Sequence, residues 1–344
     1  MLNPLYIGPY KLASNLLLAP MAGITDRPYR DICRSFGAGL TTAEMISSDV
    51  SLWDSKKSST RLISKDETEP RCAQIVGTDP ETMANAAKRC ADQGIQIIDI
   101  NLGCPAKKVC NKAAGSALLQ YPDQVEAILT KVVSAVDIPV TVKIRTGWSN
   151  KNKNALQIAH IAEQSGISAL SIHGRTREEG FTGNSEYETI RLVKQQTSIP
   201  VFANGDISTI HDAAYILNYT GADGLLLGRV TRGKPWVFAE INHYLKTKKI
   251  PSPLSTNEQI KAALAHIYTI HRYYNSVLRV RMANKHIGCY LNTMSTQQSV
   301  SKDILIKIFT AKNSSQQLEQ FSNALEELTN SPKTRDSITK VVKL

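Results

Sequence analysis

The sequence predicts a (β/α)8 barrel, the TIM-barrel form of a parallel α/β fold, followed by a small C-terminal domain made only of helices. Short apolar runs alternate with helix-length amphipathic stretches from Leu16 to about Leu245, the pattern of repeated βαβ units. There are eight such runs, which is the strand number of a closed barrel. The strand signal then stops at the Lys- and Pro-containing linker Lys246–Ser255. We therefore expect a barrel domain over 1–245 and a basic helical domain over 246–344.

The predicted strands are almost wholly apolar, as expected of parallel strands that helices cover. They are Leu16–Ala19, Leu40–Met45, Cys72–Val76, Ile97–Leu102, Val140–Ile144, Ala169–Ile172, Val201–Ala203 and Gly224–Leu227. The main competitor is an open doubly wound sheet, but the first run is followed by Pro20-Met21-Ala22-Gly23 and not by a Gly-x-Gly-x-x-Gly turn. The barrel is therefore favoured.

Helices are predicted between the strands, and several begin after Pro, Asp or Ser and end near Gly. They are Pro80–Gln93, Asp123–Val136, Asn154–Gln164, Tyr187–Gln196, Thr209–Asn218 and Pro235–Tyr244. The Ser- and Lys-rich stretch from Met45 to Arg71 is interpreted as a long loop or a short helical excursion. After the linker, a helix is expected over Asn257–Tyr274.

Composition excludes several classes of protein. With 344 residues, 42% of them hydrophobic, the chain can bury a full-sized core, so a disordered protein is excluded. No apolar stretch approaches the ~20 residues of a membrane-spanning helix, and the N-terminus lacks a signal-peptide pattern. The six cysteines have neither zinc-site spacing nor disulfide-scaffold density. We expect a cytoplasmic monomer with reduced thiols, no metal and no membrane association.

The positive charge is concentrated at the C-terminal end. The net charge is +11, and residues 246–344 hold 15 Lys and Arg against 6 Asp and Glu. Arg281 and Lys285 lie in this region among several tyrosines, a pattern typical of nucleic-acid binding. The alternative is that the tyrosines pack a helical core and the charges only maintain solubility.

Polar residues follow the predicted strands, where barrel enzymes build their sites. The fourth run ends in Asn101, Gly103 and Cys104, and Lys107 follows within reach of an anionic substrate. A thiol at a strand end can transfer a proton or act as a nucleophile. The alternative is a small buried core residue, because free Cys is among the most buried residue types. Cys110 is interpreted as a bystander or a redox neighbour.

Other strand ends offer cations and glycines. Lys143 interrupts an apolar run and is expected to face an anion or an electron-rich ring, unless it points outward between helices. His173 follows the sixth run and is either part of the same site or a structural histidine. The last two runs lead into Asn204-Gly205-Asp206 and Gly228-Arg229, which suit the binding of a phosphate-bearing organic cofactor.

Several of these motifs together resemble the tRNA-dihydrouridine synthase family. The resemblance covers the whole predicted barrel and extends beyond single motifs. It is carried by Leu18–Asp26 (LAPMAGITD), Asn101–Lys108 (NLGCPAKK), Gly115–Leu119 (GSALL), Ile172–Thr176 (IHGRT), Ala203–Ile207 (ANGDI) and Asn284–His286 (NKH).

The resemblance implies a barrel enzyme that reduces uridines of tRNA to 5,6-dihydrouridine with FMN, the flavin being reduced by NADPH. By the same resemblance Cys104 is the proton donor. The implied cofactor-binding residues are Pro20, Met21, Ala22, Gln74, Lys143, His173, Asn204, Gly205, Asp206, Gly228 and Arg229. The expected substrate-binding residues are Asn101, Lys107, Arg175, Arg281 and Lys285. The tail from Thr310 onward departs from the family pattern.

Two other functions remain open. One is an FMN barrel oxidoreductase acting on a free pyrimidine or another small metabolite, but such an enzyme needs no basic helical extension. The other is a catalytically inactive RNA-binding protein on a barrel scaffold. The intact set Asn101, Cys104, Lys143 and His173 favours an enzyme.

Overall fold

The computed structural model describes residues 3–53, 61, 63–275, 278–295 and 300–329. The chain divides into two compact units. The first comprises Met1–Gly228 and Ile241–Lys249, and the second comprises Arg229–Glu240 and Ile250–Leu344. Within the stretch from Met45 to Arg71, residues 54–60 and 62 lie outside the described residues. The described part of this stretch holds the short strand Ile46–Ser47 and a 3-10 helix, Val50–Leu52.

The first unit is built around one parallel sheet. Its strands are β3 (Leu16–Leu18), β4 (Leu40–Thr41), β5 (Ile46–Ser47), β6 (Cys72–Val76), β7 (Ile97–Leu102), β8 (Val140–Arg145), β11 (Ala169–His173), β12 (Val201–Asn204) and β13 (Gly224–Leu227). Two antiparallel pairs lie outside this sheet, namely β1 (Tyr6–Ile7) with β2 (Tyr10–Lys11), and β9 (Gly147–Ser149) with β10 (Asn152–Lys153). All eight predicted strand positions are confirmed.

The sheet curls into a barrel because its two ends belong to the same stretch of chain. β4 pairs with β3, and β5 pairs with β6. Between β4 and β5, Thr42 bridges in parallel to Cys72, and the Ala43 N–H donates to the Cys72 carbonyl at 3.0 Å. The predicted strand Leu40–Met45 therefore pairs as a strand only over Leu40–Thr41, and a second short strand, Ile46–Ser47, follows directly after the predicted run. The predicted (β/α)8 architecture is confirmed.

Helices lie between the strands and after the last of them. They are α1 (Arg27–Ser35), α2 (Pro80–Asp92), α3 (Lys107–Cys110), α4 (Pro122–Val133), α5 (Ala155–Gln164), α6 (Glu188–Gln196), α7 (Ile210–Thr220) and α8 (Val237–Thr247). Capping side chains fix the first residues of several helices. At α2 the Asp79 side chain accepts from the Thr82 N–H, and at α7 Thr209 forms a capping box with Asp212. Sequence analysis missed α1 because its buried face includes Arg30, which pairs with Glu67 and interrupts the apolar pattern.

The second unit contributes the remaining helices. They are α9 (Thr256–Tyr273), α10 (Leu278–Met294), α11 (Lys302–Phe309) and α12 (Ser314–Thr329). α9 begins at a Ser255–Glu258 capping box, one residue before the predicted start. Tyr290 of α10 is fully buried and its ring lies 6.4 Å from that of Phe321 on α12. The part of the chain that the structure describes contains no helix long and apolar enough to cross a membrane.

Candidate active site

The turn that carries Cys104 is held by the side chain of Asn101, at the end of β7. The Asn101 Oδ1 atom accepts hydrogen bonds from the backbone N–H groups of Gly103, at 3.1 Å, and Cys104, at 2.9 Å. The Asn101 Nδ2 atom donates to Gln74 Oε1 on β6, at 2.7 Å. Neighbouring parallel strands thus lock the geometry of this turn.

A buried carboxylate lies at the other end of this chain of amides. Gln74 Nε2 donates to Asp99 Oδ2 at 2.7 Å, and Thr141 Oγ1 donates to Asp99 Oδ1 at 2.7 Å. Asp99 is only 5% exposed. Burial raises the pKa of Asp99, while the two hydrogen bonds and the charge of Lys143 oppose that rise. Sequence analysis did not select Asp99, although a carboxylate two residues before Asn101 in an apolar strand was a visible signal.

Lys143 faces the barrel interior and not the helices outside it. Its side chain lines an internal cavity together with Pro20, Asp99, Thr141 and Ser171. Among the described residues its ammonium has no hydrogen-bond or ion-pair partner. Burial first, and the nearby Arg145 second, lower the pKa of Lys143 to about 8. A cation so placed can meet an anion or an electron-rich ring.

The lowered pKa of Lys143 makes stability depend on pH. Between pH 8 and 10.5 the unfolded chain keeps a proton that the folded protein has lost, so the free energy of unfolding rises with pH in this window. Compared with Lys143→Met, the ligand-free wild type should gain up to about 3 kcal/mol across the window. Denaturant titrations of both proteins at a series of pH values test this. Parallel stability curves would contradict it.

The Cys104 thiol is half-buried beside α3. Burial raises the pKa of Cys104, against smaller opposing effects from the Ala106 backbone N–H and from Arg145 and Lys143. The thiol therefore carries its proton at neutral pH. The carbonyl of Cys104 accepts hydrogen bonds from the Ser116 hydroxyl at 2.8 Å and from the Cys110 thiol at 3.5 Å. Cys110 therefore contacts the backbone of Cys104.

Two buried arginines hold the loop that follows β11. Arg145 donates to the carbonyls of Gly103, Thr176 and Gly180, each at 2.8 Å. Arg175, only 1% exposed, donates to Asp206 Oδ2 at 2.6 Å and to four further groups: the carbonyls of Thr182 and Gly183, Ser185 Oγ and His173 Nε2. The structure therefore places Arg175 in the scaffold of this loop and not at the surface.

The bond from Arg175 also determines the tautomer of His173. A guanidinium only donates, so His173 Nε2 must accept at 3.2 Å and the ring proton lies on Nδ1. His173 is 7% exposed and its ring lies 6.2 Å from that of Phe181.

The turn after β12 combines tight packing with an unusual backbone. Gly205 and Asp206 have φ values of +121° and +44°, and a Cβ on Gly205 would lie 2.2 Å from Ser185 Oγ. The Asp206 carboxylate accepts from Arg175 and from the Ser185 N–H, at 2.7 Å, so the ion pair balances its charge. Asn204 Nδ2 donates to the Leu226 carbonyl at 2.6 Å and ties β12 to β13.

The loop after β3 closes on Thr25. The Met21 N–H donates to Thr25 Oγ1, and the Met21 carbonyl accepts from the Thr25 N–H, both at 3.0 Å. Ala22 is exposed and Pro20 lines the cavity below. A Cβ on Gly228, directly after β13, would lie 3.9 Å from the Met21 sulfur, so these two loops are neighbours at the barrel rim.

The remaining predicted residues are more dispersed. Lys107 is exposed on α3, and Arg229 is exposed at the start of the 3-10 helix Arg229–Thr231. Arg281 and Lys285 are exposed on α10 in the second unit, four residues apart and so on one face. The structure thus brings Gln74, Asn101, Cys104 and Lys143 together at adjacent strand ends, and it groups His173, Arg175 and Asn204–Asp206 on β11 and β12.

Comparison with known proteins identifies the family. The family model described as dihydrouridine synthase matches residues 17–328. The match includes the tail from Thr310 to residue 328, so the expected departure from the family pattern is wrong for that part. A protein of Pseudomonas syringae named tRNA-dihydrouridine synthase B is 55% identical over 288 residues, covering 84% of this chain and 86% of the relative. The proteins of the same name from Pseudomonas aeruginosa and Escherichia coli are 54% and 51% identical, covering 84% and 91% of this chain and 87% and 96% of the relatives. The chain belongs to the dihydrouridine synthase family.

Proposed function

We propose that this protein reduces uridines of tRNA to 5,6-dihydrouridine, with FMN as its cofactor, NADPH as the electron donor and Cys104 as the proton donor. The similarity to relatives named tRNA-dihydrouridine synthase B supports the substrate and the reaction. The single observation that carries the chemistry is the placement of a half-buried thiol just after β7 and of an inward-facing cation on the adjacent strand β8.

The donor set at the barrel mouth fits a flavin. Lys143 is a cation that lines the internal cavity. Its register partner on β7 is Asn101, whose amide is hydrogen-bonded to Gln74. Lys143 would stabilise negative charge on the reduced ring system. At the opposite side of the rim, a Cβ on Gly228 would meet no atom closer than 3.8 Å, so a phosphate could approach the backbone there. When bound, FMN supplies hydride chemistry to C6 of the uracil ring.

Cys104 would complete the reduction by general acid catalysis. Hydride addition at C6 leaves enolate-like negative charge across C5 and O4 of the base. A thiol on the opposite face of the ring can protonate C5, and the raised pKa of Cys104 keeps the thiol protonated for that role. Asn101 would hold the thiol in place, because its side chain fixes the Cys104 turn.

The basic second unit would bind the tRNA. A base must leave the tRNA stack to enter a barrel mouth, at a cost of a few kcal/mol. Contacts of Arg281 and Lys285 with phosphates would offset that cost. Lys107, exposed near Cys104 in the sequence, would contact the substrate backbone. Arg175 would act through the loop that it holds.

Incubation of the purified protein with FMN, NADPH and unmodified tRNA tests the proposal. Nucleoside mass spectrometry should detect dihydrouridine in the tRNA, and free uridine and orotate should remain unreduced. Reduction of a free pyrimidine at a comparable rate would instead indicate a small-metabolite oxidoreductase. A colourless protein that binds tRNA without modifying it would indicate an RNA-binding protein.

A further inference from the structure

The orientation of each amide between Cys104 and Asp99 is determined by its neighbour. Backbone N–H groups only donate, so the Asn101 atom that faces Gly103 and Cys104 must be Oδ1. Asn101 Nδ2 then faces Gln74, which must present Oε1. Gln74 Nε2 is left facing position 99, so that position must supply an acceptor.

We propose that Asp99 is a positioning residue for Cys104, acting through Gln74 and Asn101. The three side chains are 5%, 1% and 8% exposed, so water does not readily replace a lost partner. Without an acceptor at position 99, the Gln74 amide is free to turn. Asn101 then loses the partner that keeps its Oδ1 atom on the Cys104 turn. This inference deepens the proposed function, because it matters for the reaction only if Cys104 is the proton donor.

A general role of Asp99 in the core makes a different prediction. Asp99 also accepts from Thr141 and lies near the charge of Lys143. If Asp99 mattered only for packing or charge in this region, loss of the Thr141 hydrogen bond would also disturb the Cys104 turn. If Asp99 is a positioning residue, the Cys104 turn depends on its hydrogen bond with Gln74 and not on its hydrogen bond with Thr141.

The variants Asp99→Leu, Asp99→Asn and Thr141→Val separate these roles. Leucine removes the acceptor for Gln74. Asparagine retains it: its Oδ1 accepts from Gln74 while its Nδ2 donates to Thr141 Oγ1, whose hydroxyl turns to the Ile98 carbonyl 3.4 Å away. Valine at 141 removes the neighbouring hydrogen bond and leaves the Asp99–Gln74–Asn101 chain intact. Gln74→Leu removes the hydrogen bonds from Gln74 to Asp99 and from Asn101 to Gln74. This variant replaces Asp99→Leu in the test if Asp99→Leu does not fold.

The readout is the rate at which iodoacetamide alkylates Cys104 in the full-length protein as purified, resolved by peptide mass spectrometry. A loosened turn exposes the thiol. We expect Asp99→Leu to raise the rate about fivefold, the factor corresponding to one lost hydrogen bond of about 1 kcal/mol. Asp99→Asn and Thr141→Val should stay within about twofold of wild type. Cys33 and Cys90, both buried, should remain unreactive and so report an intact fold.

Two results would overturn the inference. One is an unchanged Cys104 rate in Asp99→Leu or, if that variant does not fold, in Gln74→Leu. The other is an equal acceleration in Thr141→Val. The measurement requires neither tRNA nor NADPH, so it is independent of the proposed function. If alkylation follows the expected pattern but no dihydrouridine forms, the proposed function fails and the positioning role stands. If dihydrouridine forms but the alkylation rates do not follow the expected pattern, the positioning role is wrong and the proposed function stands.

Discussion

Replacement of Cys104 by alanine should lower the rate of dihydrouridine formation by at least about a hundredfold, the lower end of what general acid catalysis contributes. The protonated thiol is the group that we propose delivers the proton to C5. Binding of FMN should persist, because the proposed cofactor contacts come from other strand ends. Single-turnover rates with reduced protein, together with the visible absorbance spectrum, test both parts.

Cys110→Ala is the matched control for this variant. Cys110 is also half-buried, and its thiol lies 3.5 Å from the Cys104 carbonyl. Its removal leaves the hydrogen bond from Ser116 to the same carbonyl. Activity should therefore remain within about twofold of wild type, since a weak thiol hydrogen bond contributes little. Equal losses in both variants would remove the special role of Cys104.

Replacement of both Arg281 and Lys285 by glutamine should weaken tRNA binding and its dependence on salt. Each lost phosphate contact should lower the slope of log K against log salt concentration by roughly one. The two side chains are exposed on one face of α10, so their removal should leave the fold unchanged. Binding isotherms at several salt concentrations measure both effects.

Lys88→Gln is the control for charge. Lys88 is exposed on α2, on the outside of the barrel. Its replacement lowers the net charge but removes none of the proposed tRNA contacts. Its salt slope should match that of wild type. An equal fall in slope for Lys88→Gln would mean that overall charge, and not the α10 face, governs binding.

The sequence predicts the barrel well because the parallel strands are buried along most of their length. Strands β6, β7 and β13 have the predicted bounds, and β8, β11 and β12 are each one residue longer. The extra residues are Arg145, His173 and Asn204, polar side chains at the strand ends. The apolar signal stops where polar residues begin, although the backbone pairing continues.

The internal supports of the site could not be predicted in the same way. Arg145 and Arg175 bind carbonyls of a loop up to 35 residues away, and local pattern carries no information on such contacts. The resemblance implies that Arg175 binds substrate, but it does not reveal that Asp206 and several loop acceptors satisfy the donors of this buried side chain. The link from Asp99 to Cys104 likewise depends on Gln74, which lies on a different strand.

The most direct test of the account is re-oxidation of the reduced protein by its substrate. Protein reduced with NADPH under anaerobic conditions is mixed with unmodified tRNA, and the flavin absorbance and the dihydrouridine content are followed together. The account predicts that the oxidised spectrum returns with one dihydrouridine formed per flavin, and that the return is at least about a hundredfold slower in Cys104→Ala. A reduced spectrum that tRNA leaves unchanged, or re-oxidation at full rate without Cys104, would contradict it.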